Sequence, residues 1–474
     1  MEKKKLGGRF WAAIALVGFI GQLAWAIENN YINLWVFSQT GNSDAITYMT
    51  ILSALMATIT TFFMGALSDK IGKRKLFISW GFIIWGATVF SFGLISKDNM
   101  EAAYGASNAI MMVGVWMVVI DCLMTFFGST ASDACFNAMV TDMTDNSNRG
   151  KVESFLSVLP LFANVVMMVI GMPLHIGATP DEYLSEQIAS GVYSDGASAL
   201  ANGWFIYFII CGALVTLSGI VSLFLIPKDK CVPNRDGAYL KNLIHGFRPS
   251  VIKENALLYI ALLVFLCFNS AVNSFMPYYM VYMQLSTEFG GAGLVGMDFY
   301  IAIGVIFIIS SIIAVLNGVF LLDRFDRIKQ LYVSFIFSVI GLLGLAFLNE
   351  MAWIIVFGTF LITGYLITTS ILGAIVRDLT PKKEVGLFQG IRMVFCVLLP
   401  MVTGPLISSA LFPVTEYHDD ANFALNGKTP SSVMFFVALA FIVLSIFPTI
   451  WLDKASKKTA INATIPSEKE KNDD

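Results

Sequence analysis

The chain has 474 residues, 57% of them hydrophobic and only 13% charged, with a formal net charge of −3. A mean hydropathy of +0.73 leaves too little polar surface to clothe a water-soluble fold of this length, which excludes a soluble enzyme and points to a chain threaded through a bilayer. The near-neutral balance carries no electrostatic footprint of a nucleic-acid partner.

About 20 apolar residues cross a hydrocarbon core of roughly 30 Å. Twelve such stretches follow one another, approximately at 11–37, 45–67, 76–95, 108–140, 153–174, 203–226, 256–283, 297–322, 330–348, 351–377, 387–412 and 431–452. The expected fold is therefore an all-α polytopic membrane protein with twelve transmembrane helices. Lys3 to Lys5 precede the first stretch as in a leader, but that stretch is too long and lacks a small-residue cleavage site, so it is expected to remain as a helix. The fourth is long enough to project beyond the bilayer or to break near Gly128.

Of the 30 Lys and Arg residues, 27 fall in the terminal segments or in alternate connections. Lysine and arginine are retained on the cytoplasmic side, so both termini are expected there, in a cytoplasmic (inner) membrane. Lys97 and Lys428 lie in the opposite set of connections and are given no special role, while Arg392 lies inside the eleventh stretch. The six cysteines have no CxxC spacing and the methionines no His or Cys cluster beside them, so neither disulfides, a metal nor a cofactor is expected.

Segment 227–255, polar and basic, separates residues 1–226 from 256–454, and 455–474 forms a polar tail. Its stretch from Tyr239 to Phe247 is a candidate interfacial helix. The two large segments repeat. Ala-Met-Val-Thr-Asp-Met-Thr at 138–144 recurs as Ala-Ile-Val-Arg-Asp-Leu-Thr at 374–380, Gly150 corresponds to Gly386, and Val-Leu-Pro at 158–160 corresponds to Leu-Leu-Pro at 398–400. Two pseudo-symmetric six-helix bundles are the expected arrangement, a common way to build a cavity that opens alternately to either side.

The segment Gly65-Ala-Leu-Ser-Asp69-Lys70-Ile-Gly72-Lys73-Arg74-Lys75 closely resembles the signature loop of major facilitator superfamily transporters. Residues 318–329 resemble its second-half copy, with one residue more between Gly318 and Asp323 than between Gly65 and Asp69. The resemblance covers all twelve stretches and implies two helical bundles around a central path. It also implies that Asp69 and Arg74, with Asp323 and Arg327, support a cytoplasmic gate. Asp142 and Asp378, which close the repeated fourth and tenth stretches, and Asp133, one face of the fourth, are further gate candidates.

Acids inside apolar stretches are the sharper clue, because an ionised carboxylate at the midplane costs roughly 2.5–3.5 kcal/mol on the insertion scale unless it faces protein or water. Glu28 lies in the first stretch, and Asp121 lies about 12 residues into the fourth, close to the membrane centre at about 1.5 Å per residue. Both are candidates for binding a solute and for exchanging a proton. Trp25, Glu28 and Tyr31 share a face with Asn29 beside them, and Asn269 and Asn273 repeat at an interval of four in the seventh stretch. An indole beside carboxylate and amide groups suits a hydroxylated ring, the aromatic face covering C–H surface and the polar groups bonding hydroxyls. Tyr365, with Thr359, Thr363 and Thr368 of the tenth stretch, supplies further hydroxyls, and Arg392 is a candidate for the cavity wall or for snorkelling to the interface.

Glu28-Asn29-Asn30-Tyr31, Asp121, Asp378-Leu-Thr and Gly386-Leu-Phe-Gln-Gly390 resemble the branch that contains glycoside, pentoside and hexuronide cation symporters and sucrose transporters. That branch places its cation-binding acids in the second helix, whereas 45–67 has none and offers Thr58, Thr60 and Thr61 as its main polar groups. That absence weighs against sodium, which leaves proton coupling through Glu28 or Asp121 and uncoupled movement open. The expected function is proton-coupled transport of a small polar solute, a sugar or glycoside, by a monomer working through alternating access. A multidrug or metabolite exporter and a nontransporting sensor or scaffold are the alternatives; no catalytic constellation suggests an enzyme.

Overall fold

The computed structural model describes residues 6–144, 149–174, 176, 196–229, 247–321, 324–381, 385–418 and 424–464. Its long helices are, in chain order, α1 (Gly8–Thr40), α2 (Asp44–Ile71), α3 (Arg74–Phe92), α4 (Ala109–Met143), α5 (Arg149–Gly171), α6 (Gly196–Leu225), α7 (Ala256–Gln284), α8 (Gly296–Leu316), α9 (Arg327–Phe347), α10 (Met351–Leu379), α11 (Gly390–Leu411) and α12 (Val433–Thr464). Among the described residues, eleven are long and apolar enough to cross a membrane. The twelfth is α5, with a shorter apolar stretch over Val158–Leu174 among the described residues. The chain is an all-α polytopic membrane protein. The candidate interfacial helix at 239–247 lies almost wholly outside the described residues, as does Asp323.

Helices are required because hydrocarbon offers no partner to a backbone N–H or C=O. The outer surface shows the same solvent: Phe63, Trp80, Phe224, Phe347 and Trp451 stand out from the bundle, where water would penalise them and lipid does not. Tight turns end where the backbone needs a left-handed residue, at Gly41 (φ 61°) after α1 and Gly72 (φ 70°) after α2. Asp326 opens α9 by accepting from the N–H groups of Ile328 and Lys329 at 2.8 and 3.3 Å.

Packing repeats with an offset of six helices. In the first half α3 packs on α6 and on α4, α1 on α5, and α2 on α4; in the second α9 packs on α12 and on α10, α7 on α11, and α8 on α10. Glycines set the closest approaches. A Cβ on Gly86 would come within 2.5 Å of Gly212 O and of Thr216 N in α6, and one on Gly341 within 2.5 Å of Leu361 N in α10. Backbones meeting at small residues replace the hydrophobic driving force that lipid removes. The halves meet where α2 faces α11, the end of α1 faces α7, and α5 faces α8.

Four helices widen into π-helical turns, at Ile27–Ile32 in α1, Ser129–Phe136 in α4, Asn317–Leu321 after α8 and Val394–Leu398 in α11. The expected break near Gly128 is instead a change of hydrogen-bonding register within a continuous helix. Gly128 has a different task, since a Cβ there would meet Trp85 at 2.9 Å and Trp25 at 3.2 Å.

One element departs from the all-helical expectation. Between α11 and α12, strands β1 (Val414–His418) and β2 (Ala424–Lys428) form an antiparallel hairpin, with Val414 opposite Lys428 and His418 opposite Ala424. Lys428, given no role above, pairs with Asp44 at the start of α2 at 3.0 Å. The hairpin belongs to the second half and its partner to the first, so a connection between two membrane helices ties the halves together on the face opposite the basic loops.

Replacing Gly86 by valine should destabilise the protein by about 1–3 kcal/mol through overpacking of the α3–α6 seam, read as a lower thermal midpoint in detergent. A Gly114→Val control, facing only Ala45 at 4.0 Å, should move it far less; equal shifts would contradict this account of the seam.

Candidate functional site

Eight helices, α1, α2, α4 and α5 of the first half and α7, α8, α10 and α11 of the second, enclose a cavity of about 330 Å³. Among the described residues, the other four contribute nothing to its wall. Six of the residues singled out from sequence line it: Trp25, Glu28, Asn29, Asp121, Asn273 and Tyr365. The π-helical turn of α1 explains the clustering there. Wider turns reduce the rotation per residue, so Glu28, Asn29 and Asn30 all reach the cavity together with Asn33 one turn later.

Glu28 is 7% exposed and Asp121 1% exposed. Glu28 Oε1 accepts from Ser53 Oγ at 2.8 Å and from Thr125 Oγ1 at 3.1 Å, and the two hydroxyls are 2.7 Å apart. Glu28 Oε2 and Asp121 Oδ1 are buried without a hydrogen-bond partner, and the described residues of the cavity wall include no Lys, Arg or His. Two carboxyl groups thus stand at the cavity with acceptor capacity unused.

The amides add to that excess. Asn29, Asn30, Asn33, Asn164 and Asn273 each donate Nδ2 to the backbone carbonyl four residues earlier, at 2.8, 3.2, 3.0, 2.9 and 2.8 Å. A carbonyl partner fixes which end of each amide is nitrogen. With one N–H tied back to the helix, these side chains offer the cavity more acceptor than donor capacity. Asn30 Nδ2 also reaches Asn164 Oδ1 at 3.1 Å, linking α1 to α5. Trp25 is braced from behind by Trp85, ring centroids 4.9 Å apart, which holds its indole as one side of the wall.

Three sequence candidates lie elsewhere. Tyr31 is buried against Tyr207, ring centroids 5.3 Å apart. Asn269 donates to Cys396 O at 2.7 Å and ties α7 to α11. Arg392 is half-buried beside the Cys396 thiol and does not reach the wall. In α10, Thr368 donates to Ser334 of α9 at 2.7 Å and Thr359 to Ile355 O of its own helix; neither lines the cavity, which Tyr365 faces. In α2 the wall residues are Met49, Thr50 and Ser53, one turn or more before the threonines at 58, 60 and 61. Their signal was the three-residue spacing Thr47, Thr50, Ser53, and for Asn164 its place one turn after Pro160.

The gate candidates form two copies of one arrangement. Arg74, first residue of α3, binds Asp69 at 2.6 Å, Asp142 near the end of α4 at 2.5 Å and Ser68 Oγ at 3.1 Å. Arg327, first residue of α9, pairs with Asp378 near the end of α10. Each pair joins helices of its own half. They differ in burial: the Arg74 side chain is 8% exposed, whereas those of Arg327 and Asp378 are 31% and 62% exposed. Asp133 is partly exposed in the π-helical part of α4, outside both the Arg74 cluster and the cavity wall.

The pattern of the Major Facilitator Superfamily matches residues 14–405 and 295–467. The fold is similar to the nucleoside transporter NupG, with a TM-score of 0.66 at 12% identity, covering 93% of this chain and 99% of that one. It is also similar to the xylose transporter XylE from E. coli in a partially occluded inward-open conformation, with a TM-score of 0.60 at 11% identity over 94% and 99% of the two chains. A bacterial homologue of the human lysosomal transporter Spinster, inward-facing and unoccupied, gives a TM-score of 0.59 at 13% identity over 98% and 100%. No curated protein matches the chain.

Removing a cation from a buried cluster strands its acids, whereas an exposed pair contributes little. Arg74→Ala should therefore cost about 1–3 kcal/mol and Arg327→Ala no more than about 1 kcal/mol, seen as a larger drop in thermal midpoint for the first. Equal drops would contradict the difference in burial.

Proposed function

The chain belongs to the major facilitator superfamily, and from that premise we propose that it carries a sugar or glycoside together with a proton by alternating access. Membership makes it a multi-pass membrane protein and a secondary transporter of small polar solutes, a carrier without catalytic chemistry. The finer reading rests on one observation, the acceptor-rich cavity between the halves.

A solute with many hydroxyl donors suits such a wall. An anion does not, because it would meet two carboxyl groups and no base among the described wall residues. Trp25 supplies an apolar face for the C–H surface of a ring, and a volume of about 330 Å³ holds a small solute of this kind. Resemblance of Glu28-Asn29-Asn30-Tyr31 to the glycoside and sucrose carrier branch points the same way.

Coupling follows from the acids. With Glu28 and Asp121 both ionised and no base on the wall, two negative charges would stand uncompensated inside the membrane, and a proton taken from one side neutralises one of them. Charge lost at the cavity changes the cost of closing the halves around it, so proton and solute together favour the transition that neither favours alone. With the basic connections retained inside, both termini face the cytoplasm of the cell and the hairpin faces outward. The protein works as a monomer in the inner membrane, the cavity being complete within one chain.

In proteoliposomes with an imposed inward proton gradient, one or more members of a panel of mono- and disaccharides should accumulate, and collapse of the gradient should abolish accumulation. Glu28→Gln and Asp121→Asn should bring accumulation down to the level of empty vesicles, with solute exchange retained in whichever variant still binds. Accumulation driven by sodium instead, or efflux of an organic cation without sugar uptake, would contradict this reading.

A further inference from the structure

We propose that Asp44, Lys428 and Ser409 form the latch that holds the carrier shut on the face opposite the basic loops, with the β1–β2 hairpin as its arm. This rests on the alternating-access reading, since a latch has meaning only if that face opens. The contacts are specific and converge on one turn. Lys428 Nζ meets Asp44 Oδ1 at 3.0 Å, and Ser409 Oγ at the end of α11 donates to the same oxygen at 3.1 Å. The backbone joins in: the N–H and the hydroxyl of Ser43 both donate to Lys428 O at 2.9 Å, and Asn426 N–H donates to Gly41 O at 3.2 Å. Every one of these bonds crosses from the second half to the first.

Asp44 suits the role because it opens α2, where the helix dipole favours a negative charge. The pair is also weak in the right way. Lys428 and Asp44 side chains are 32% and 33% exposed, so both rehydrate on release and the contact costs little to break in each cycle. Beneath the arm, Thr47 Oγ1 and Tyr278 OH, 2.7 Å apart, close the next layer between α2 and α7, and across the seam Tyr300 OH donates to Gly171 O at 3.1 Å between α8 and α5. The Arg74 and Arg327 pairs differ in kind, since each stays within its own half. An ion pair that spans the halves has to be broken when they part; one within a half travels with it.

The test is a distance measurement that needs no solute. Spin labels are placed at Glu101→Cys and Glu350→Cys, exposed positions on this face in the first and second halves, in a protein cleared of its native cysteines and held in lipid nanodiscs. The unmodified latch should give a dominant short distance with a minor longer population. Lys428→Ala, or Asp44→Asn, should raise the longer population about two- to fivefold, the range expected for a half-exposed pair. The exchange D44K/K428D should return it part of the way, since lysine is disfavoured at a helix N-terminus. A longer population that is present but indifferent to both single variants, or single-variant gains that the exchange does not reduce, would overturn the latch. A wild-type protein that never shows the longer distance would instead overturn opening on this face, and with it the reading on which the latch rests.

Discussion

A carboxylate cannot face hydrocarbon, and a backbone polar group there must find its partner within the chain. From these two requirements follow the helices, the pairing of helices at glycine seams, and the location of Glu28 and Asp121. Charges placed near mid-membrane have only the space between the halves to face, and the amides that share it each have one N–H tied back to the helix. The cavity is thus the consequence of polar groups that lipid refuses.

The two halves then differ in a way that matters. Both acids belong to the first half, in α1 and α4, while the second half supplies Asn273, Tyr365 and an apolar wall that includes Phe307 and Met401. Charge change is therefore felt mainly by one bundle, and the other presents the surface against which it closes. The buried Arg74 cluster holds α2, α3 and α4 together at the basic end of that charged half, and the Arg327–Asp378 pair joins α9 to α10 at the corresponding end of the other with more of its side chains exposed.

Much of this was legible in the sequence because bilayer thickness dictates it. Apolar runs of membrane length marked the helices, and the repeat of Ala-x-Val-x-Asp-x-Thr placed Asp142 and Asp378 as counterparts, each of which meets the arginine that opens a neighbouring helix. Polar residues misplaced in apolar stretches pointed to Glu28, Asp121 and Asn273. What escaped was whatever depends on rotation or on docking. Thr58, Thr60 and Thr61 stood out as the main polar groups of α2, but Thr50 and Ser53 are the residues turned to the cavity, and Ser53 is a hydroxyl that bonds Glu28. The π-helical turn that gathers Glu28, Asn29 and Asn30 leaves no mark in hydropathy, since it is a change of hydrogen-bonding register. The hairpin escaped for the opposite reason: Val414–His418 and Ala424–Lys428 are short and mixed in polarity, and one of them becomes a strand with a purpose only where Lys428 finds Asp44 some 380 residues earlier.

The central claim is that solute and proton cross together through the cavity that Glu28 and Asp121 line. Its most direct measurement is the external pH of a lightly buffered suspension of de-energised vesicles when a transported sugar is added. The account predicts a sugar-dependent alkalinisation with the wild-type protein, collapsed by a protonophore and absent with Glu28→Gln or Asp121→Asn. Sugar entry with no change in pH, or with acidification, would contradict it.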